Sequence, residues 1–110
     1  MNWIALETEQ QLQTIADKSF TAPQVIFKHS TTCSISSMAL NRLERSEPPA
    51  NIDFYYLDLL KLRPISAAIA EKFQVHHESP QVLLIQEGKC VYSETHHGIN
   101  VAEILNHIVE

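Results

Sequence analysis

The stretch Val25-Ile-Phe-Lys-His29-Ser-Thr-Thr-Cys33-Ser-Ile-Ser36 decides how the rest of the chain is read. Its first half is β-branched and aromatic. With Val25, Ile26 and Phe27 all apolar, both faces of an extended chain are apolar, which predicts a strand in the centre of a sheet. From Ser34 the apolar positions Ile35, Met38, Ala39 and Leu43 repeat at helical spacing, uninterrupted by Pro or Gly, so a helix runs to about Arg45. Cys33 therefore stands where a strand hands over to a helix. A helix N-terminus offers unpaired backbone N–H groups and a partial positive charge, which stabilise a thiolate. Position alone makes Cys33 a candidate nucleophile; it equally suits a small buried hydrophobe, as free cysteines often are.

Upstream, an amphipathic helix is predicted from Thr8 to about Phe20, with Thr8 and Gln11 spaced as a capping box and Leu12, Ile15 and Ala16 on one face. Pro23 separates it from the strand, and Trp3, Ile4 and Leu6 pack the amino-terminal segment against the sheet. Downstream, the proline pair within Ser46–Asn51 marks a loop, and the aromatic and branched residues of Ile52–Leu60 predict a second strand. Strand, helix and strand make a parallel, right-handed βαβ unit. A helix follows at Arg63–Phe73, with Pro64 in its first turn and Ile65, Ala68, Ile69 and Phe73 along one face. After the loop Gln74–Ser79, Pro80 opens a strand at Gln81–Gln86, and Glu87-Gly88 turns it into Lys89–Glu94 as a hairpin. Asn100 and Glu103 cap a closing helix whose Val101, Ile104, Leu105 and Ile108 face inward.

Length and composition are those of one globular domain spanning residues 1–110. A net charge of -5 with scattered Lys and Arg argues against a nucleic-acid or anionic-membrane surface. No apolar run approaches the ~20 residues of a membrane span, and the early acidic residue Glu7 does not suit a signal peptide, so the expected location is cytoplasmic. Cys33 and Cys90 form neither a CxxC pair nor a disulfide framework, which points to a reducing compartment and a free thiol. Cys90, beside Val91 and Tyr92 on the last strand, is read as a structural thiol. The pairs His76-His77 and His96-His97 are poor chelates because adjacent side chains on an extended segment point apart; no metal site is expected.

The element order is a helix followed by β-α-β-α-β-β-α. This is an α/β chain with the thioredoxin-like fold, a mixed four-stranded sheet flanked by helices, plus an extra N-terminal helix. Within that order, Lys28-His-Ser-Thr-Thr-Cys33-Ser-Ile-Ser36, His77-Glu-Ser-Pro80-Gln-Val-Leu-Leu-Ile85 and the hairpin after Gly88 resemble the YtxJ-type monothiol bacilliredoxins over nearly the whole chain. The resemblance implies removal of bacillithiol from protein mixed disulfides, with Cys33 as the attacking thiolate and Pro80 as a cis-proline. A cis bond there turns the backbone of Ser79 outward to pair with a substrate strand. The family motif commonly reads Thr-Cys-Pro-Ile-Ser; here Ser34 takes the proline position, which a first helical turn accepts.

Ser36 sits where the second cysteine of a CxxC would be, so a thioredoxin-type dithiol reductase is disfavoured. Its hydroxyl could donate to the sulfur, serve as a cap or simply be solvated, and the Thr31 and Thr32 hydroxyls share that ambiguity. The candidate substrate-binding residues are thus Thr32, Ser34, Ser36, Ser79 and Pro80, with His29 and His77 as candidate cations that tune the thiolate. No tightly bound cofactor is expected; the co-substrate is bacillithiol or another low-molecular-weight thiol, and the partners are S-thiolated proteins. Two alternatives stand beside this reading: a glutaredoxin-like enzyme using another small thiol, and a non-enzymatic thioredoxin-fold stress-response adaptor whose cysteine is incidental.

Overall fold

The computed structural model describes residues 1–109. In chain order the elements are β1 (Trp3–Ala5), α1 (Gln10–Lys18), β2 (Gln24–His29), α2 (Ser34–Arg45), β3 (Asp53–Asp58), α3 (Arg63–Phe73), β4 (Gln81–Gln86), β5 (Lys89–Thr95), a 3-10 turn (His96–Gly98) and α4 (Val101–Asn106). The strands form one five-stranded sheet in the order β1-β3-β2-β4-β5. β1 and β2 both run parallel to β3, whereas β4 runs antiparallel to β2 and β5 antiparallel to β4. This is the thioredoxin-like arrangement, with β2 at its centre and all six of its residues buried.

Alternation along β2 sends Val25 and Phe27 to one face and Ile26 to the other, and each face carries its own core. Val25 and Phe27 join Ala39 and Leu43 of α2 and Val101 and Ile104 of α4. Ile26 joins Leu12 and Ile15 of α1 and Ile65, Ile69 and Phe73 of α3. Each fully buried aliphatic or aromatic side chain stabilises the fold by about 1.5–3 kcal/mol.

The local signals explain most boundaries. Gln11 Oε1 accepts from the backbone N–H of Thr8 at 2.9 Å and the N–H of Gln11 donates back to Thr8 Oγ1 at 3.4 Å, so the capping box forms. Asn100 Oδ1 accepts from the N–H of Glu103 at 2.8 Å at the start of α4. Glu87 and Gly88 have φ values of 53° and 75°, the pair of positive angles that a two-residue hairpin turn of matching twist requires.

Three expectations are corrected. The sheet has five strands, not four: Trp3–Ala5 is itself a strand, and the amino-terminal portion is a strand–helix unit whose helix packs beside α3, not a helix appended outside the sheet. With three residues, of which Ile4 and Ala5 are exposed, β1 has no alternation to read; Trp3 holds it by stacking on Phe27 at 5.8 Å and meeting Phe54 and Tyr56 edge-on. On α2 the inward face is Ser36, Ala39 and Leu43, with Met38 51 % exposed and Ile35 only half-buried. On α4, Leu105 is exposed while Val101 and Ile104 face the sheet.

Candidate functional site

Cys33 is the N-cap of α2 and adopts extended backbone angles, so it is the last residue outside the helix. Its own N–H donates to Ser30 O at 3.2 Å and its carbonyl accepts from the N–H of Ser37 at 3.0 Å. The thiol is half-buried, with Thr31, Thr32 and Ser34 exposed around it. No acidic residue occupies the first turn of α2, so no carboxylate in that turn opposes the positive end of the helix.

The loop that carries Cys33 is anchored from below by Ser36. This serine is fully buried; its Oγ lies 2.7 Å from His29 Nδ1 and accepts from the N–H of Ser30 at 3.0 Å. The hydroxyl therefore closes a ring from the end of β2 to the first turn of α2. His29 is buried in turn, stacked on Phe27 at 5.6 Å and tilted against Tyr56 at 5.6 Å. Burial pushes its imidazole below the usual histidine range, outweighing the opposite pull of Asp58 and Glu44, so His29 is neutral near pH 7.

Across the sheet, Lys28 pairs with Gln81 in the antiparallel β2–β4 ladder. The ladder ends at that pair, so His29 with the Cys33 loop and Pro80 with Ser79 leave the two strands at the same end of the sheet. The Ser79–Pro80 bond is cis, as the resemblance implies. Pro80 O accepts from the N–H of His96 at 3.2 Å. Arg42 of α2 donates to His96 O at 2.8 Å and to Ile99 O at 3.0 Å, so α2 and the segment flanking Pro80 are tied together. Ser79 Oγ is buried and has no hydrogen-bond partner among the described residues.

The other candidates fall into place less simply. His77 is exposed, but its Nδ1 lies 3.3 Å from Lys28 Nζ and 3.2 Å from Ser66 Oγ. Burial and the neighbouring Lys28 charge lower its pKa, so it too is neutral near pH 7 and supplies no standing cation. Sequence reasoning passed over Lys28, Ser66 and Arg42. The one signal in the sequence was a lysine directly after the two-sided apolar run Val25–Phe27 of a predicted central strand.

Cys90 lies at the far end of β4, opposite Ile85. About 15 Å of strand separates that position from the Pro80 edge, beyond the Cα spacing of up to about 7 Å that a disulfide spans. Its Sγ donates to Tyr92 O at 3.3 Å, and burial pushes its thiol up. Among the described residues, no group of three or more His, Cys, Asp or Glu side chains is placed to hold a metal ion. The site thus offers one half-buried sulfur at a helix N-terminus with no second thiol in reach.

The family model described as monothiol bacilliredoxin BrxC matches residues 4–104. The chain belongs to the monothiol bacilliredoxin family. A solved structure described as a candidate oxidoreductase with a thioredoxin fold superposes with a TM-score of 0.83 at 30% identity, covering 96% of this chain and 92% of that one. Thioredoxins from Malassezia sympodialis (TM-score 0.73, 18% identity, 97% and 90% covered) and Fasciola hepatica (0.71, 17%, 94% and 98%) share the fold. Family membership places the chain among thiol oxidoreductases. No helix among the described residues is long and apolar enough to cross a membrane.

Proposed function

We propose that this protein is a cytoplasmic monothiol oxidoreductase that takes a low-molecular-weight thiol, bacillithiol foremost, from S-thiolated proteins onto Cys33, with no tightly bound cofactor. The observation that carries the reading is the pairing of Cys33 at the N-cap of α2 with a buried serine, Ser36, at the place of a resolving cysteine. In the first step the Cys33 thiolate attacks the small-thiol sulfur of the mixed disulfide. The new S–S bond joins Cys33 to the small thiol, the old one breaks, and the protein leaves as thiolate. In the second step the thiolate of a further small thiol attacks this adduct, which releases a symmetric small-molecule disulfide and regenerates Cys33. Both exchanges conserve electrons overall, and the reductant is the second small thiol.

The surroundings suit those steps. The positive end of α2 favours the Cys33 thiolate, the form that attacks in the first step and leaves in the second. The backbone of Ser79 beside Pro80 pairs with an extended substrate segment, and the unpartnered Ser79 hydroxyl gains a partner when that segment docks. The exposed Thr32 and Ser34 line the approach to the thiol.

The test is transfer from a protein carrying a single mixed disulfide, followed by mass spectrometry of both partners. Wild type acquires the small-thiol adduct on Cys33 and releases the reduced protein; Cys33→Ala does neither. Full deprotection by Cys33→Ala would overturn the proposal. Faster exchange with a glutathione-modified protein would reassign the co-substrate to another small thiol, and inertness towards every mixed disulfide would favour the adaptor reading.

A further inference from the structure

Lys28 is fully buried, on the same face of β2 as Ile26, at a position where the alternation calls for an apolar side chain. Among the described residues no carboxylate pairs with its ammonium; the ion pair present is Lys18 with Asp53. Its contacts are Ser66 O on α3 at 3.4 Å and His77 Nδ1 at 3.3 Å, and Ser66 Oγ reaches the same Nδ1 at 3.2 Å. Lys28 Nζ is a donor, so Nδ1 of a neutral His77 accepts and its proton sits on Nε2. A buried cation without a counter-charge is costly, and an apolar side chain would fill this strand position without that cost. A residue that weakens the core in this way has its rationale outside stability.

The geometry shows what the side chain joins. Lys28 and Gln81 are directly opposite in the β2–β4 ladder, and opposed residues of an antiparallel pair point to the same face. Gln81 Nε2 donates to His76 O at 3.1 Å, and its Oε1 accepts from the N–H of Glu78 at 3.3 Å. Two neighbouring buried side chains thus grip the segment before Pro80: Gln81 on either side of His77, and Lys28 on His77 itself. Both grips originate inside the sheet, while the segment they hold is exposed from His76 to Glu78.

We propose that Lys28 is a positioning residue for the recognition loop 74–80: it holds His77 against α3 so that Ser79 and Pro80 meet the disulfide partner in one preset geometry. The inference rests on Cys33 being the exchange thiol, and it concerns docking of the protein partner rather than attack by sulfur. Preorganisation of such a loop lowers the ordering cost of binding.

Two measurements test it. Amide hydrogen exchange at Val75 and Glu78, whose N–H groups donate to Ala70 O and Gln81 Oε1, needs no turnover; in Lys28→Met and in His77→Ala it should quicken about tenfold over wild type as the loop loses its tether. Steady-state exchange with an S-thiolated protein should show KM raised about 5–10-fold with kcat changed less than about twofold in either variant. The double variant should be no worse than the singles, and His77→Asn, which keeps an acceptor near Nδ1, should recover much of the loss. Unchanged amide exchange, a fall confined to kcat, or additive effects of the two variants would each overturn the proposal. If wild type fails to transfer the small thiol while amide exchange responds as described, the functional reading fails and the loop tether stands.

Discussion

Replacing Lys28 by methionine isolates the largest electrostatic cost visible in the core. The side chain is fully buried, and burial lowers its pKa from the ordinary 10.5 to about 8. That gap corresponds to about 3 kcal/mol of preference for the unfolded state when the amine is charged. Below pH 8 both states carry the proton and the whole penalty stands. Between about 8 and 10.5 the unfolded chain still holds the proton while the native chain has shed it, so stability rises with pH relative to a variant lacking the amine. Above 10.5 both states are neutral and the penalty is gone. Methionine keeps the length of the side chain and removes the charge, and the exposed His77 can turn to water. Lys28→Met should therefore be more stable than wild type by about 3 kcal/mol at pH 7, and the gap should narrow by about 2 kcal/mol by pH 9.5. Urea unfolding of both proteins at several pH values between 6 and 10 measures it, since titrations common to the two cancel in the difference. Two parallel stability curves, or a Lys28→Met protein less stable than wild type at pH 7, would show that the ammonium is compensated in the native state and refute the reasoning.

Two other outcomes follow from the site. Ser36→Ala leaves the N–H of Ser30 and Nδ1 of His29 without their buried partner, so a loss of about 2–4 kcal/mol is expected in chemical denaturation; a loss under about 0.5 kcal/mol would mean that the hydroxyl does not anchor the Cys33 loop. Ser79→Ala removes a hydroxyl with no partner in the free protein, so stability should hold within about 0.5 kcal/mol while KM for an S-thiolated protein rises; unchanged KM would remove that hydroxyl from docking.

Much of this protein is legible in its sequence because the relevant forces are local. The helices α2 and α3 begin and end where periodicity, Pro64 and the absence of breakers put them, and β4 runs from Gln81 to Gln86 as its apolar run indicates. The turn at Glu87-Gly88 and the cap at Asn100 are stated by single residues whose backbone or side-chain chemistry is nearly self-sufficient. Cys33 at the head of a helix belongs to the same category, since a strand followed by a helix fixes that position before anything packs.

Tertiary structure decided what depends on which surface meets which. Periodicity reports that α2 has an apolar side, but contact with the sheet selected Ser36, Ala39 and Leu43 and turned Met38 outward. β1 exists only because β3 offers it an unpaired edge and Trp3 an aromatic seat, neither of which three residues can announce. The Lys28 tether joins residues 49 positions apart, and its meaning comes from burial, a property that no residue possesses until the sheet and α3 have closed over it. The sequence by itself determined where the thiol stands; packing alone determined that burial lowers the pKa of His29 and His77, that Ser36 anchors the loop from within, and that a lysine lies in the core.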